Sequence, residues 1–212
     1  MVVTIKKIVS SLMSILVYSF IISGCTPTYN KIAVVADSMG YYDQSVIISQ
    51  IESNGDDVVY YSSTPGSTTW SNANLVTQIQ SPNNTVIVVT FGLNETRYIR
   101  GDADAIPHKT LTQVLNDWTR IKNLANQYNK CLVWTTTQTA YPLNTSPTVN
   151  IISSLNNWIR NNVLEAAWEP TVNYNVQYQN SSWFSPDGFH LKSNSWGPNA
   201  FGIKIREAVE NC

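Results

Sequence analysis

The chain has 212 residues, a formal net charge of −1 and 13% charged residues, against about 25% in ordinary soluble domains. That balance offers no basic surface for nucleic acid. Two histidines, with scattered acids such as Asp102 and Asp104, give no metal-ligand spacing, so neither a metal nor a cofactor is expected.

Residues 1–24 read as an export signal. Lys6 and Lys7 precede an almost wholly apolar run from Ile8 to Ile22, shorter than the roughly 20 residues that span a bilayer core. The run ends in Ile22-Ser23-Gly24-Cys25, which resembles the bacterial lipobox. That resemblance implies a lipidated Cys25 at the new N-terminus, and two or more acyl chains anchor stably. An ordinary signal peptide, or an uncleaved helix with a chance cysteine, stays open as the alternative. The expected location is the bacterial cell envelope, outside the cytoplasmic membrane. A tether over 25–30 then leads into 31–212, enough for one well-buried domain and short of two. A monomer is expected.

Within the domain, short apolar runs alternate with longer amphipathic stretches, the rhythm of an α/β fold. Strands are expected over Ile32–Ala36, Asp57–Tyr61, Thr85–Phe91 and Cys131–Thr136. Each is a continuous run of β-branched or aromatic residues, as suits a parallel sheet covered on both faces. Helices are expected over Tyr42–Ser53, Asn72–Gln80, Leu111–Tyr128, Val149–Ala167 and Pro198–Glu210. In the third, Leu111, Val114, Leu115, Trp118, Ile121, Leu124, Ala125 and Tyr128 recur at steps of three and four and make one apolar stripe. A short fifth strand near Val172 closes the list of elements. Cys131 opens a strand and Cys212 follows a helix antiparallel to the strands. Both therefore belong to one edge of the sheet, and an oxidising compartment permits a disulfide between them. Two separate buried thiols are the alternative.

In open α/β sheets the chemistry gathers at the carboxyl ends of the strands. The first strand runs into Ala36-Asp37-Ser38-Met39-Gly40, which puts a serine at a helix start, where N–H groups and the dipole favour developing negative charge. The second leads to Thr64-Pro65-Gly66-Ser67, a turn in which glycine permits close approach and leaves its N–H free. The third leads to Gly92-Leu93-Asn94-Glu95, whose Asn94 amide can donate to the same point. A serine needs a base. His108 follows Pro107 in a polar stretch and reads as a surface residue. His190 stands just before the last helix, with Asp187 three residues earlier, placed to fix the tautomer and stabilise the imidazolium.

This combination resembles the SGNH, or GDSL-type, hydrolase family from Ile32 to Val209. Ala36-Asp37-Ser38 with Gly40 resembles its first block, Gly66 its second and Gly92-Leu93-Asn94-Glu95 its third, usually Gly-x-Asn-Asp. Asp187-Gly188-Phe189-His190-Leu191 resembles its fifth. The resemblance implies a flavodoxin-like three-layer α/β/α sandwich with parallel strand order 2-1-3-4-5. It further implies ester hydrolysis through an acyl-serine intermediate: Ser38 attacks, His190 takes and returns the proton, and Asp187 orients His190. The oxyanion hole would comprise the Ser38 and Gly66 N–H groups and the Asn94 amide. Two positions depart from the pattern. Ala36 replaces a glycine, which a small side chain at a strand end tolerates, and Glu95 replaces the aspartate after Asn94, a change expected to reposition the Asn94 turn at the oxyanion hole.

Asp37, Trp70 and Trp183 are candidate substrate contacts, with Trp196 and the tyrosines Tyr41, Tyr42 and Tyr98 also on loops near the site. Aromatic faces suit sugar rings, although tryptophans mostly fill cores and rims. An O-acetylated carbohydrate is the first expectation, followed by lysophospholipid or another short acyl ester. The alternative of another class is a non-catalytic surface lipoprotein that binds a glycan or a protein on the same fold.

Overall fold

The computed structural model describes residues 29–41, 43–137, 146–168, 183–185 and 190–212. The export signal, Cys25, Tyr42, the stretch around Val172 and Asp187 lie outside these residues. Among the described residues, no helix is long and apolar enough to cross a membrane.

Five strands form one parallel sheet in the order β2-β1-β3-β4-β5: β1 Lys31–Ala36, β2 Asp57–Ser63, β3 Val86–Val89, β4 Cys131–Thr135 and β5 Leu164–Ala166. Among the described residues six α-helices flank it: α1 Gln44–Ile51, α2 Ala73–Gln80, α3 Leu93–Arg100, α4 Leu111–Gln127, α5 Ser146–Asn162 and α6 Gly197–Val209. Side chains alternate across a strand, and here both alternating sets are apolar. Ile32, Val34, Val86, Val88 and Val133 pack with Ile47 and Ile51 of α1 and Phe201 and Ile205 of α6. Ala33, Val35, Ile87, Val89 and Leu132 pack with Leu75 of α2, Val114 and Ile121 of α4 and Leu155 and Ile159 of α5. The result is the expected three-layer sandwich, with continuous apolar strands because both faces are covered.

Trp118, Trp134 and Trp158 form an aromatic cluster on the second face, with ring centroids 4.5 to 5.8 Å apart. The buried Trp134 indole donates to the Phe91 carbonyl at 2.8 Å, so its one polar atom is satisfied. On the first face α1 and α6 lie unusually close. A Cβ on Gly202 would come within 2.7 Å of the Gln50 Cβ and 2.9 Å of the Ile47 carbonyl oxygen.

At the amino ends of the strands, Cys131 and Cys212 are joined by a disulfide with Cα atoms 5.8 Å apart. This is the pairing that the strand and helix directions favour. Beside it, Lys130 Nζ donates to the carbonyls of Ser81 and Asn84 at 2.6 and 2.5 Å, tying the end of α2 to the start of β4.

Two expectations need correction. The helix expected over Val149–Ala167 ends at Asn162, and the next apolar residues form β5 against Val133–Thr135. The fifth strand thus precedes the region of Val172, because the unpaired edge of β4 takes the first chain that reaches it. The turn expected at Gly92-Leu93-Asn94-Glu95 opens a full helix, α3.

Candidate active site

Ser38 lies at the carboxyl end of β1, first residue of a 3-10 turn over Ser38–Gly40. Asp37 caps that turn, its carboxylate accepting from the Met39 N–H at 2.9 Å. The Ser38 N–H is one of the orphan donors that every helix start presents. Ser38 itself is 7% exposed, reachable from one side only. The departure at Ala36 has a local explanation: a Cβ on Gly40 would stand 2.5 Å from the Ala36 methyl, so the methyl fits because residue 40 has no side chain.

Asp37 is fully buried. Thr90 Oγ1 donates to Asp37 Oδ1 at 3.2 Å and accepts from the Asp37 N–H at 3.1 Å, while Asn94 Nδ2 reaches Oδ2 at 3.4 Å. Burial pushes Asp37 up to about 7, against the Met39 bond. Its expected contact with substrate is corrected: Asp37 organises the rim from beneath. The neighbouring Tyr61 hydroxyl donates to the Gly40 carbonyl at 2.7 Å and is itself pushed up by burial and by the Asp37 charge.

Gly66 has φ +78°, and Ser67 N–H returns to the Thr64 carbonyl at 3.1 Å. With Pro65 before it, this is the pattern of a type II turn, which wants glycine in that place. The Gly66 N–H donates no hydrogen bond among the described residues, and its Cα faces open space. Asn94, in the first turn of α3, is 6% exposed and donates to the Ser67 carbonyl at 3.1 Å. Ser38 and Gly66 follow the carboxyl ends of β1 and β2, and Asn94 bonds to a neighbour of each, Asp37 and Ser67. Asn94 Nδ2 thus has two acceptors within reach, the Asp37 contact being the longer. Gly92 begins α3 with φ +153°, where a Cβ would lie 1.9 Å from Thr137 Oγ1, so only glycine fits this junction.

Glu95, the second departure, is fully buried. Its Oε1 accepts from the Thr69 N–H at 2.9 Å and the Thr69 hydroxyl at 3.2 Å, and its Oε2 has no hydrogen-bond partner among the described residues. Burial pushes it up to about 7, against the Thr69 bond. Sequence reasoning treated Glu95 as a disturbance of the Asn94 turn and missed its tie to the loop after β2. The signal was present as an acidic residue in the first turn of α3, where the helix dipole favours it.

His190 is half-buried. Its carbonyl accepts from the Ser185 N–H at 2.8 Å, Phe184 bridges Leu191 in antiparallel fashion, and the Lys192 N–H donates to the Trp183 carbonyl at 2.8 Å. Two observations relate this short paired segment to the chain after β1. Leu191 is buried in one core cluster with Ala36 and Met39, and the Asn194 N–H donates to Asp43 Oδ2 at 2.7 Å.

The aromatic candidates divide. Trp183 is 6% exposed and belongs to the core, so the expected substrate contact there is corrected: the ring fills the space beneath the His190 segment. Trp70 is half-buried, with Lys109 Nζ 4.1 Å from its ring centroid and Tyr98 packed edgewise at 5.2 Å. Tyr41 and Trp196 are exposed at 47% and 54%. A groove of about 620 Å³ between α2 and α4 is lined by Trp70, Asn72, Asp117 and Arg120 among others, but by neither Ser38 nor Asn94. Exposed His108 meets the Asp102 carbonyl, and Asp102 and Asp104 pair with Arg97 and Arg100. Among the described residues no group of three His, Cys, Asp or Glu side chains converges as a metal site would require.

No family model and no curated protein matches the sequence. Solved structures do. An acetyl xylan esterase, AlAXEase, superposes with a TM-score of 0.64 at 11% identity, over 84% of this chain and 99% of the other. A GDSL-like lipase from Bacteroides thetaiotaomicron gives 0.60 at 14% identity, over 86% and 88%. The catalytic domain of peptidoglycan O-acetyltransferase A from Streptococcus pneumoniae gives 0.60 at 14%, over 86% and 94%. With its parallel 2-1-3-4-5 sheet between two helical layers, the chain has the fold of the SGNH, or GDSL-type, hydrolases.

Proposed function

We propose that this chain is a serine esterase or deacylase that hydrolyses a carboxylic ester through an acyl-Ser38 intermediate. The observation that supports the reading is that Asn94 bonds to Asp37, beside Ser38, and to the Ser67 carbonyl, beside Gly66, at the carboxyl ends of β1 and β2, while the chain just after His190 is bonded to the cap of α1 through Asn194 and Asp43. In this reading the Ser38 hydroxyl adds to the ester carbonyl as His190 removes its proton, with Asp187 orienting the imidazole. The oxyanion draws on the Ser38 and Gly66 N–H groups and on Asn94 Nδ2, which loosens its bonds to Asp37 and to the Ser67 carbonyl to meet the new charge. Collapse expels the alcohol with the proton from His190, and water reverses the sequence to free the acid. Likeness in fold to esterases and to an acetyl-transferring domain agrees with acyl chemistry of this kind.

The first substrate class to test is an O-acetylated carbohydrate, supported by exposed Tyr41 and Trp196 on the described rim. The first 25 residues support an envelope location with a lipid on Cys25; mass spectrometry of the mature N-terminus tests it.

A fluorophosphonate probe is expected to label Ser38, and Ser38→Ala and His190→Ala to abolish turnover of p-nitrophenyl acetate. Labelling elsewhere, or unchanged turnover in both variants, rejects the proposal. The non-catalytic binding reading draws support from the two acceptors that Asn94 Nδ2 already meets. Binding to a glycan array by a folded protein that ignores the probe would favour it.

A further inference from the structure

The loop after β2, which carries Gly66, is shaped by its own bonds. Ser67 N–H and Oγ return to the Thr64 carbonyl, Thr68 N–H meets Ser71 Oγ at 2.9 Å, and Asn72 caps α2. These fix the loop's form but not its distance from Ser38. That distance depends on bonds to other elements. One runs from the Thr64 N–H to the Ala36 carbonyl at 3.0 Å and another from Asn94 Nδ2 to the Ser67 carbonyl. The remaining two converge on Glu95 Oε1 from the Thr69 N–H and hydroxyl. The Asn94 bond must loosen or tilt if that amide is to serve an oxyanion, so it is a poor permanent anchor. Glu95 faces no such conflict, since both its bonds go to Thr69 and it is closed from solvent.

The chain accepts a cost to keep it there. A carboxyl group fully buried with one oxygen unpartnered among the described residues is among the more expensive arrangements a protein interior holds. Resting on the esterase reading, we propose that Glu95 is a positioning residue for the oxyanion hole, holding the Gly66 loop against the helix start that carries Asn94. Length is the property that matters. An aspartate at 95, the residue usual in the resembling family, stops about 1.5 Å short, one carbon–carbon bond. That stretches both Thr69 contacts beyond hydrogen-bond range or drags α3 toward the loop.

The test compares Glu95→Asp, Glu95→Gln, Glu95→Ala and Thr69→Val with the wild type, using p-nitrophenyl acetate for kcat and KM and a small fluorophosphonate for the rate of Ser38 labelling. Direct loss of an oxyanion donor costs about 10²–10³ in turnover, and a displaced donor costs less. Glu95→Asp and Glu95→Ala are expected to lower kcat about 10- to 100-fold with KM changed less than about threefold, and to slow labelling in parallel. Glu95→Gln recovers most of the rate, because its amide carbonyl still accepts both Thr69 bonds. Thr69→Val, which removes only the hydroxyl bond, costs a few-fold. In an Asn94→Ala background the loss from Glu95→Asp shrinks, because both changes act on the same donors. A wild-type rate in Glu95→Asp, a loss confined to KM, or equal losses in Glu95→Gln and Glu95→Asp overturns the proposal. Should Glu95→Ala fail to fold, Glu95→Asp and Thr69→Val decide. A wild type that neither labels nor turns over defeats the esterase reading itself, and this inference with it.

Discussion

The two ends of the sheet are held together by opposite means. At the amino ends of the strands the chain uses a covalent bond between Cys131 and Cys212 and a lysine that clamps two carbonyls. At the carboxyl ends it uses buried carboxylates: Asp37 beneath Ser38 and Glu95 beneath the Gly66 loop, with Thr90, Asn94 and Thr69 as partners. The first arrangement suits permanence. The second is costlier to bury and titrates in the neutral range, yet it leaves N–H groups facing outward. Preorganised donors of that kind do work in a reaction that stability alone would not require.

Breaking the rim should therefore abolish activity and spare the fold. Ser38→Ala is expected to lower kcat by about 10⁴-fold or more with an unchanged thermal melt. Breaking the foot should do the reverse. Cys131→Ser with Cys212→Ser opens a cross-link of sequence separation 81, worth about 4–5 kcal/mol by loop entropy. The expected result is a large fall in melting temperature with kcat retained at temperatures where the protein stays folded. Asn94→Ala should cost about 10²–10³ in kcat with KM nearly constant.

The smallest effect is electrostatic. Asp37 and Glu95 are raised to about 7 chiefly by burial, from ordinary values of 3.8 and 4.5. Because the folded values lie above the unfolded ones, the stability these groups lend is complete below about pH 4 and is withdrawn as the pH climbs through 7. Glu95→Gln removes one of the two. The melting temperature of that variant relative to wild type should accordingly rise between about pH 5 and pH 8, and a flat difference would contradict the raised value of Glu95.

The sheet was legible because Val86–Val89 and Cys131–Thr135 are unbroken apolar runs, and α4 because Val114, Trp118, Ile121 and Ala125 face one way. Helix α3 was not. Its buried first turn is Leu93, Asn94, Glu95 and Thr96, and three polar residues leave no apolar period to follow. Strand β5 was hidden because three residues directly after a long helix read as its continuation. At the site, the residue types that bear chemistry stood at junctions the pattern already marked, so Ser38, Gly66 and Asn94 could be named. Which way a side chain points was beyond it: Asp37 and Trp183 turn inward, and Trp70 carries a lysine over its ring.

The near contact of α1 and α6 at Gly202 bears on how the reacting groups are spaced. The helix that follows Ser38 and the helix that follows His190 touch almost backbone to backbone, so the spacing of the two junctions depends on how closely these helices pack. Alanine at 202 would drive the two helices apart by a few tenths of an ångström or more. Its mark should be a loss of catalytic rate out of proportion to the modest drop in melting temperature.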